Sequence, residues 1–245
     1  MNKTNIDIDL EALAEASGEN EVKGAPKLDL PILKLNGSKG NFTLLKKGKK
    51  IELDNEVEGV ILKIRRCCTF YSKTKQMFST EVNSNSGKMV LFEVFTKQNG
   101  DRSFNKVDEG TYAELKQRKP DLKFVQVIYF LMDGEVVKLQ VKGGGLTNLF
   151  EYYRKFEGKE HMFQFTTKIT TEQKTDPITY YTMVFERGEA VENMARVAEK
   201  INYLAETLAK IDSFKKQKSE DAEQPPVEDY EAETAPAPEE YEYQE

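Results

Sequence analysis

The chain has very little of the chemistry on which most enzymes depend. It contains a single histidine, His161, and two cysteines, Cys67 and Cys68, which are neighbours. Without a Cys/His cluster it has no ligand set for zinc. Adjacent residues on a strand point to opposite faces, so a mutual disulfide is not expected. No serine or cysteine nucleophile has motif support beside His161, and Glu93, Asp133, Glu135 and Glu151 are scattered rather than grouped as metal carboxylates. The sequence predicts no catalytic residues, no metal and no cofactor. No apolar run approaches the 18 or so residues of a membrane span. The N-terminus, MNKTNIDIDLEALAEAS, is acidic and lacks the basic start and apolar core of a signal peptide. These absences predict a cytoplasmic, non-enzymatic protein without a membrane partner (in a host cytoplasm if the source is viral).

What is present is a division of charge. The net charge of −6 conceals a body, residues 31–187, with 27 Lys/Arg against 19 Asp/Glu, and a terminal segment, residues 219–245, with eleven Asp/Glu and no Lys/Arg. Binding of a polyanion depends on the local field and not on the sum, so an acidic pI does not exclude nucleic acid.

The chain divides into four parts. Residues 1–30 read as a flexible acidic leader, broken by Gly18, Gly24 and Pro26. Residues 31–187 alternate apolar and polar positions as strands do. PILKLNGSKGNF is an edge strand running into a turn, and KKGKK, 46–50, is a basic turn. VEGVILKIRRCCTFY, 57–71, is the strongest strand. Simple alternation puts Val60, Leu62 and Ile64 on one face and Lys63, Arg65 and Tyr71 on the other. KMVLFEVF, 88–95, is a further strand, whereas 96–110 reads as polar loop. KFVQVIYFLMDGEVVKLQVKG, 123–143, is a hairpin whose Asp133-Gly134 suits a tight turn. Gly143–Gly145 lead into a helix with Leu146, Leu149, Phe150 and Tyr153 on one face, and two strands follow at 161–170 and 178–186. Gly143–Gly145 lack the ending of a P-loop and read as a tight connection. Residues 188–218 form an amphipathic helix through Val191, Met194, Ala198, Ile201, Leu204, Leu208 and Ile211, a stripe that either packs on the body or makes a homodimer. Residues 219–245, with four prolines and few aliphatics, read as a disordered acidic tail.

A helix between the third and fourth main strands predicts a mainly β fold with α. Its expected core is a five-stranded OB-fold-like barrel, with a long C-terminal helix added; a β-sandwich or open α+β sheet is the alternative. Single-strand binding needs cations along the phosphates and flat rings to stack on unpaired bases. The stretch KIRRCCTFYSKTKQMF, 63–78, mixes both. Lys63, Arg65, Arg66, Lys73 and Lys75 are its candidate cations and Tyr71 and Phe78 its candidate rings, joined by Lys47 and Lys49 of the basic turn and by Tyr129 and Tyr181. The competing interpretation is a solvated strand face with the rings in the core.

A basic, ring-bearing β domain, a helix and a terminal acidic tail ending EEYEYQE together resemble phage-type single-stranded DNA-binding proteins. The PILKLNGSKGNF opening and the LTNLFEYYRKF helix are similar to segments of phage replication proteins. The resemblance covers about 31–187 and the tail. It implies a sequence-tolerant protein that coats single-stranded DNA during replication or recombination. It also implies that Glu239, Glu240, Tyr241, Glu242 and Tyr243 recruit partner proteins, and that the tail competes for the DNA site as a tethered polyanion. The alternatives are a phage structural or assembly protein whose β domain binds protein, and an accessory subunit of a nucleic-acid enzyme.

Overall fold

A computed structural model describes residues 30–72, 74–96, 102–156 and 160–220. In chain order the elements are β1 (Ile32–Leu35), β2 (Phe42–Lys46), β3 (Lys49–Glu52), β4 (Glu56–Tyr71), β5 (Gln76–Ser79), β6 (Met89–Thr96), β7 (Arg102–Gly110), α1 (Tyr112–Arg118), β8 (Lys123–Met132), β9 (Glu135–Val141), α2 (Gly144–Arg154), a 3₁₀ turn (Met162–Gln164), β10 (Phe165–Asp176), β11 (Ile178–Ala190) and α3 (Met194–Glu220). The protein is mainly β with a few helices.

Local chemistry sets most of these boundaries. The β8–β9 turn uses Asp133 and Gly134 at φ 49° and 80°, and the β2–β3 turn uses Lys47 and Gly48 at 49° and 72°. Two consecutive positive φ values match the right-handed twist of a two-residue hairpin. Helix α1, which the strand-by-strand reading passed over, starts at a capping box. The Thr111 hydroxyl accepts from Glu114 N–H, and the Glu114 carboxylate accepts from Thr111 N–H at 2.8 Å. Residues 102–110 are strand β7 and not loop, because they pair along β6 and set the ring of Phe104 against that of Phe78.

The strands follow one path, β3-β2-β1-β9-β8-β4-β5-β6-β7, with β10 joined to β4 and β11 to β10. Among the described strands only β1 and β9 run parallel. The path of nine strands is open, with β3 and β7 at its ends, and β10 and β11 bring the described sheet to eleven; the expected closed barrel of five strands is not what it describes. The pivot is β4, long enough to serve three partners. Residues 56–59 pair with β10, 60–69 with β8, and 69–71 with β5.

Three cores fill this frame. The first lies between the sheet, the β10–β11 hairpin and α2, and contains Leu33, Phe42, Ile128, Phe130, Leu139, Leu149, Tyr152 and Ile169. Helix α2 buries Leu149 and Tyr152 rather than Phe150, which is exposed, because Tyr152 also shares a 2.7 Å hydrogen bond with Thr167 of β10. The second core covers the opposite face of β4, β8 and β9 with Val197, Leu204, Leu208 and Ile211 of α3. Full burial of side chains of this size is worth about 1.5–3 kcal/mol each before ordering entropy. The expected stripe of α3 is therefore spent on its own sheet, and Met194 and Ala198 fall outside it. The third core joins Cys68, Met77, Met89 and Leu91 to Leu115 of α1.

Register decides which face each β4 residue occupies. A bulge inserts Leu62 between the pairs Ile61↔Phe130 and Lys63↔Tyr129. One extra residue reverses the alternation. Arg65 and Cys67 consequently fall on the same face as Val60, beneath α3, and not on the opposite one.

Candidate nucleic-acid interface

The bulge has its largest consequence at Arg65. Its side chain is 3% exposed, which removes it from the surface predicted for it. The guanidinium donates to both carboxylate oxygens of Asp212 on α3 at 2.9 Å and to the backbone carbonyl of Glu81. The Glu81 carboxylate in turn accepts from the Tyr129 hydroxyl at 2.7 Å and pairs with Lys138 at 2.6 Å. Burial alone would lower the guanidinium pKa. The carboxylates of Glu81 and Asp212 outweigh it and raise the value. Two cations and two anions thus balance within a clamp between sheet and helix. Tyr129, at 2% exposure, belongs to the clamp and not to a stacking surface.

Other nominated residues are also engaged. Phe78 packs against Phe92 and edge-on against Phe104, with ring centroids 5.9 and 5.4 Å away. Lys75 pairs with Glu93 at 2.9 Å. Arg66 points to the other side of β4 and donates to the carbonyl of Asn83. Its charge partly opposes the burial that raises the pKa of Tyr153. Tyr181 lays its ring on Gly40 and donates its N–H to Gly37 at 2.8 Å, so it is a spacer between β11 and the β1–β2 turn. Lys63 is half-buried at the bulge. Lys47 and Lys49 are exposed, but β3 and β4 are five strand steps apart on the path, about 24 Å of sheet. The nominated set does not form one continuous channel. Lys73 and the tail residues Glu239, Glu240, Tyr241, Glu242 and Tyr243 lie outside the described residues, as does the leader through residue 29.

One of the nominated rings does meet a cation at the surface. Tyr71, 46% exposed at the end of β4, has the Lys142 ammonium 5.9 Å from its ring centroid. This is cation–π range. Lys142 ends the β9 hairpin and immediately precedes Gly143–Gly145, where α2 begins. At that glycine turn stands Tyr180, 39% exposed, whose hydroxyl is 3.9 Å from the position a Cβ would take at Gly144. Sequence reasoning passed over Lys142 and took Tyr181 in place of Tyr180. The available signal was the adjacency of Lys142 to the glycine triplet.

The remaining polar groups favour structure over chemistry. His161 stacks on Phe163 with centroids 5.1 Å apart. Both cysteines are buried and outside any disulfide, Cys67 under α3 and Cys68 in the third core. Burial raises the Cys68 pKa and so disfavours its thiolate. Among the described residues no group of three or more His, Cys, Asp or Glu is placed to hold a metal ion, and no helix is long and apolar enough to cross a membrane. Comparison with known protein families, with curated proteins and with solved structures finds no match to this chain.

Proposed function

We propose that this protein binds single-stranded DNA without sequence preference, as a coating protein of replication or recombination. The observation that carries the reading is the exposed Tyr71 under Lys142, with Tyr180 beside the glycine turn that follows. An exposed ring under a cation, with a second exposed ring at the adjoining turn, suits base stacking with neutralisation of the backbone.

The strand order supports it. The meander β4–β8–β9, then α2, then the β10–β11 hairpin returning to β4 follows the order of strands in an OB-like barrel. On this reading β5–β7 and α1 are an insertion between the first two barrel strands, and β1–β3 extend the β9 edge. Such barrels bind through one sheet face and the loops beside it. Here α3 covers the outer face of β4, β8 and β9, so the ligand is offered strand ends and loops, where Tyr71, Lys142 and Tyr180 sit. The course of α3 is a further support. Arg196 lies against Gly134 and Asp212 against Arg65, so the helix runs from the β8–β9 turn towards the Tyr71 end of β4. The acidic segment is joined by sequence to that end of α3, which suits competition with DNA and recruitment of replication or recombination proteins through Glu239, Glu240, Tyr241, Glu242 and Tyr243.

The test is binding of labelled oligo-dT and duplex DNA at 50 and 200 mM salt. Oligo-dT is expected to bind better than duplex, to weaken steeply with salt, and to bind more tightly after removal of 221–245. Equal affinity for duplex would defeat the proposal. Indifference to both would favour an assembly protein that binds protein through its β domain. Within a protein that does bind, Tyr71→Ala should cost about 1–3 kcal/mol, the worth of one stacked base. Unchanged affinity in the folded variant would take Tyr71 out of the interface.

A further inference from the structure

Helix α2 begins in a way that forgoes stability. Its N-cap is Gly143, at φ 59° and ψ −136°, with no side-chain cap and no acidic residue in the first turn. Serine, threonine, aspartate or asparagine would serve better there. The N–H of Leu146 bonds back to the Gly143 carbonyl at 3.0 Å, but the first helical N–H groups, those of Gly144 and Gly145, have no acceptor within the helix. They carry the positive end of the helix dipole.

A second, independent feature faces the same spot. Thr182 of β11 is 5% exposed, and its hydroxyl has no hydrogen-bond partner among the described residues. Leaving a buried hydroxyl unpaired is costly. That hydroxyl stands 3.4 Å from where a Cβ at Gly144 would be and 3.6 Å from the corresponding position at Gly145. The Tyr180 hydroxyl approaches the Gly144 position from the side, and Lys142 precedes the turn. Hydroxyls of two β11 residues thus stand at contact distance, 3.4–3.9 Å, from the place a side chain at residue 144 would take, next to the unbonded N–H groups of the helix start.

We infer that this N-terminus is a phosphate seat, occupied by one phosphodiester of the bound strand. The inference rests on the single-strand reading. A phosphate oxygen seats against the bare backbone of Gly144, accepts from the N–H groups of Gly144 and Gly145 and from the Thr182 hydroxyl, and is balanced by Lys142. This is the usual chemistry of anions at helix N-termini, and it accounts at once for the missing cap and the orphaned hydroxyl. The seat fixes a backbone position and leaves base identity unread. Tyr71 and Tyr180 would then stack the bases adjoining that phosphate.

Two variants of the full chain test it, and neither threatens the fold. Thr182→Val removes the hydroxyl. Gly144→Ala sets a methyl against the seat, with neighbours at ordinary contact distances of 3.4–3.9 Å, and favours the helix. Both should melt no lower than the parent protein. Amide spectra of the parent titrated with inorganic phosphate should show the Gly144 and Gly145 signals moving. Each variant should lose that response and bind oligo-dT about tenfold more weakly, the equivalent of one hydrogen bond to a charged group. Unmoved glycine amides with unchanged oligo-dT affinity in both variants would overturn the seat. Moved amides with unchanged oligo-dT affinity would overturn its assignment to the DNA backbone. A parent protein that ignores oligo-dT would overturn the single-strand reading instead, and a phosphate response in it would retain the seat for a free phosphate.

Discussion

Arg65→Ala is expected to cost about 3–5 kcal/mol of stability, the usual penalty for removing one partner of a buried ion pair. For a folded body of this size the melting temperature should fall by roughly 6–20 °C. The cause lies in what alanine leaves behind. Glu81, buried beside Tyr129 and Lys138, loses one of its two cations, and Asp212 loses the guanidinium that ties α3 to the sheet. With that tie gone, the apolar face of β4, β8 and β9 is held by packing alone. A contact residue behaves differently, because its removal weakens oligo-dT binding and leaves the melt unchanged. Thermal denaturation of Arg65→Ala beside Tyr71→Ala therefore separates the two roles. If Arg65→Ala melted with the parent protein and lost DNA affinity, the clamp would be refuted and Arg65 would return to the surface.

The second large effect is expected from the smallest change, Gly59→Ala. A Cβ there would stand 2.2 Å from the backbone carbonyl oxygen of Leu131 and 2.9 Å from the Phe130 ring. A flexible side chain could swing aside, but a paired strand cannot. Gly59 also sits where β4 passes from β8 to β10, opposite Thr167, whose hydroxyl is bonded to Tyr152 of α2. Accommodating the methyl must move β4 off one partner or the other. Overpacking typically costs 1–3 kcal/mol, and an obstacle made of backbone puts this substitution near the top of that range, about 3 kcal/mol. Urea denaturation measures it as a lower midpoint. A loss under about 0.5 kcal/mol, the scale of an indifferent surface change, would mean that the strands part easily at this point and that the crossing is not the rigid pivot described.

These two positions also mark the limit of sequence reading. The β8–β9 hairpin was legible because Asp133-Gly134 announces its own backbone geometry. Helix α2 was legible from its glycine start and apolar spacing, and α3 from its repeating leucines. The capping box at Thr111 and Glu114 was equally plain, and α1 could have been read from it. Strand β7 was not legible. RSFNKVDEG has one aromatic residue among polar ones, and it is a strand because β6 supplies hydrogen bonds and Phe78 supplies a neighbour for Phe104. The candidate site divided along the same line. Tyr71 is exposed as expected, whereas Arg65 and Tyr129 are enclosed and Phe78 is spent on other rings.

By itself the sequence determined the class of the fold, the β8–β9 turn, helices α2 and α3, and the separation of a basic body from an acidic terminus. Each of these rests on interactions between residues close in the chain or on charge, which needs no coordinates to count. Tertiary structure decided which side chains meet solvent. A single bulge at Leu62 reversed the alternation of β4, and a helix more than 120 residues further on closed over the face where Arg65 then lay. Periodicity records that two faces differ; only packing between distant segments determines which of them is covered.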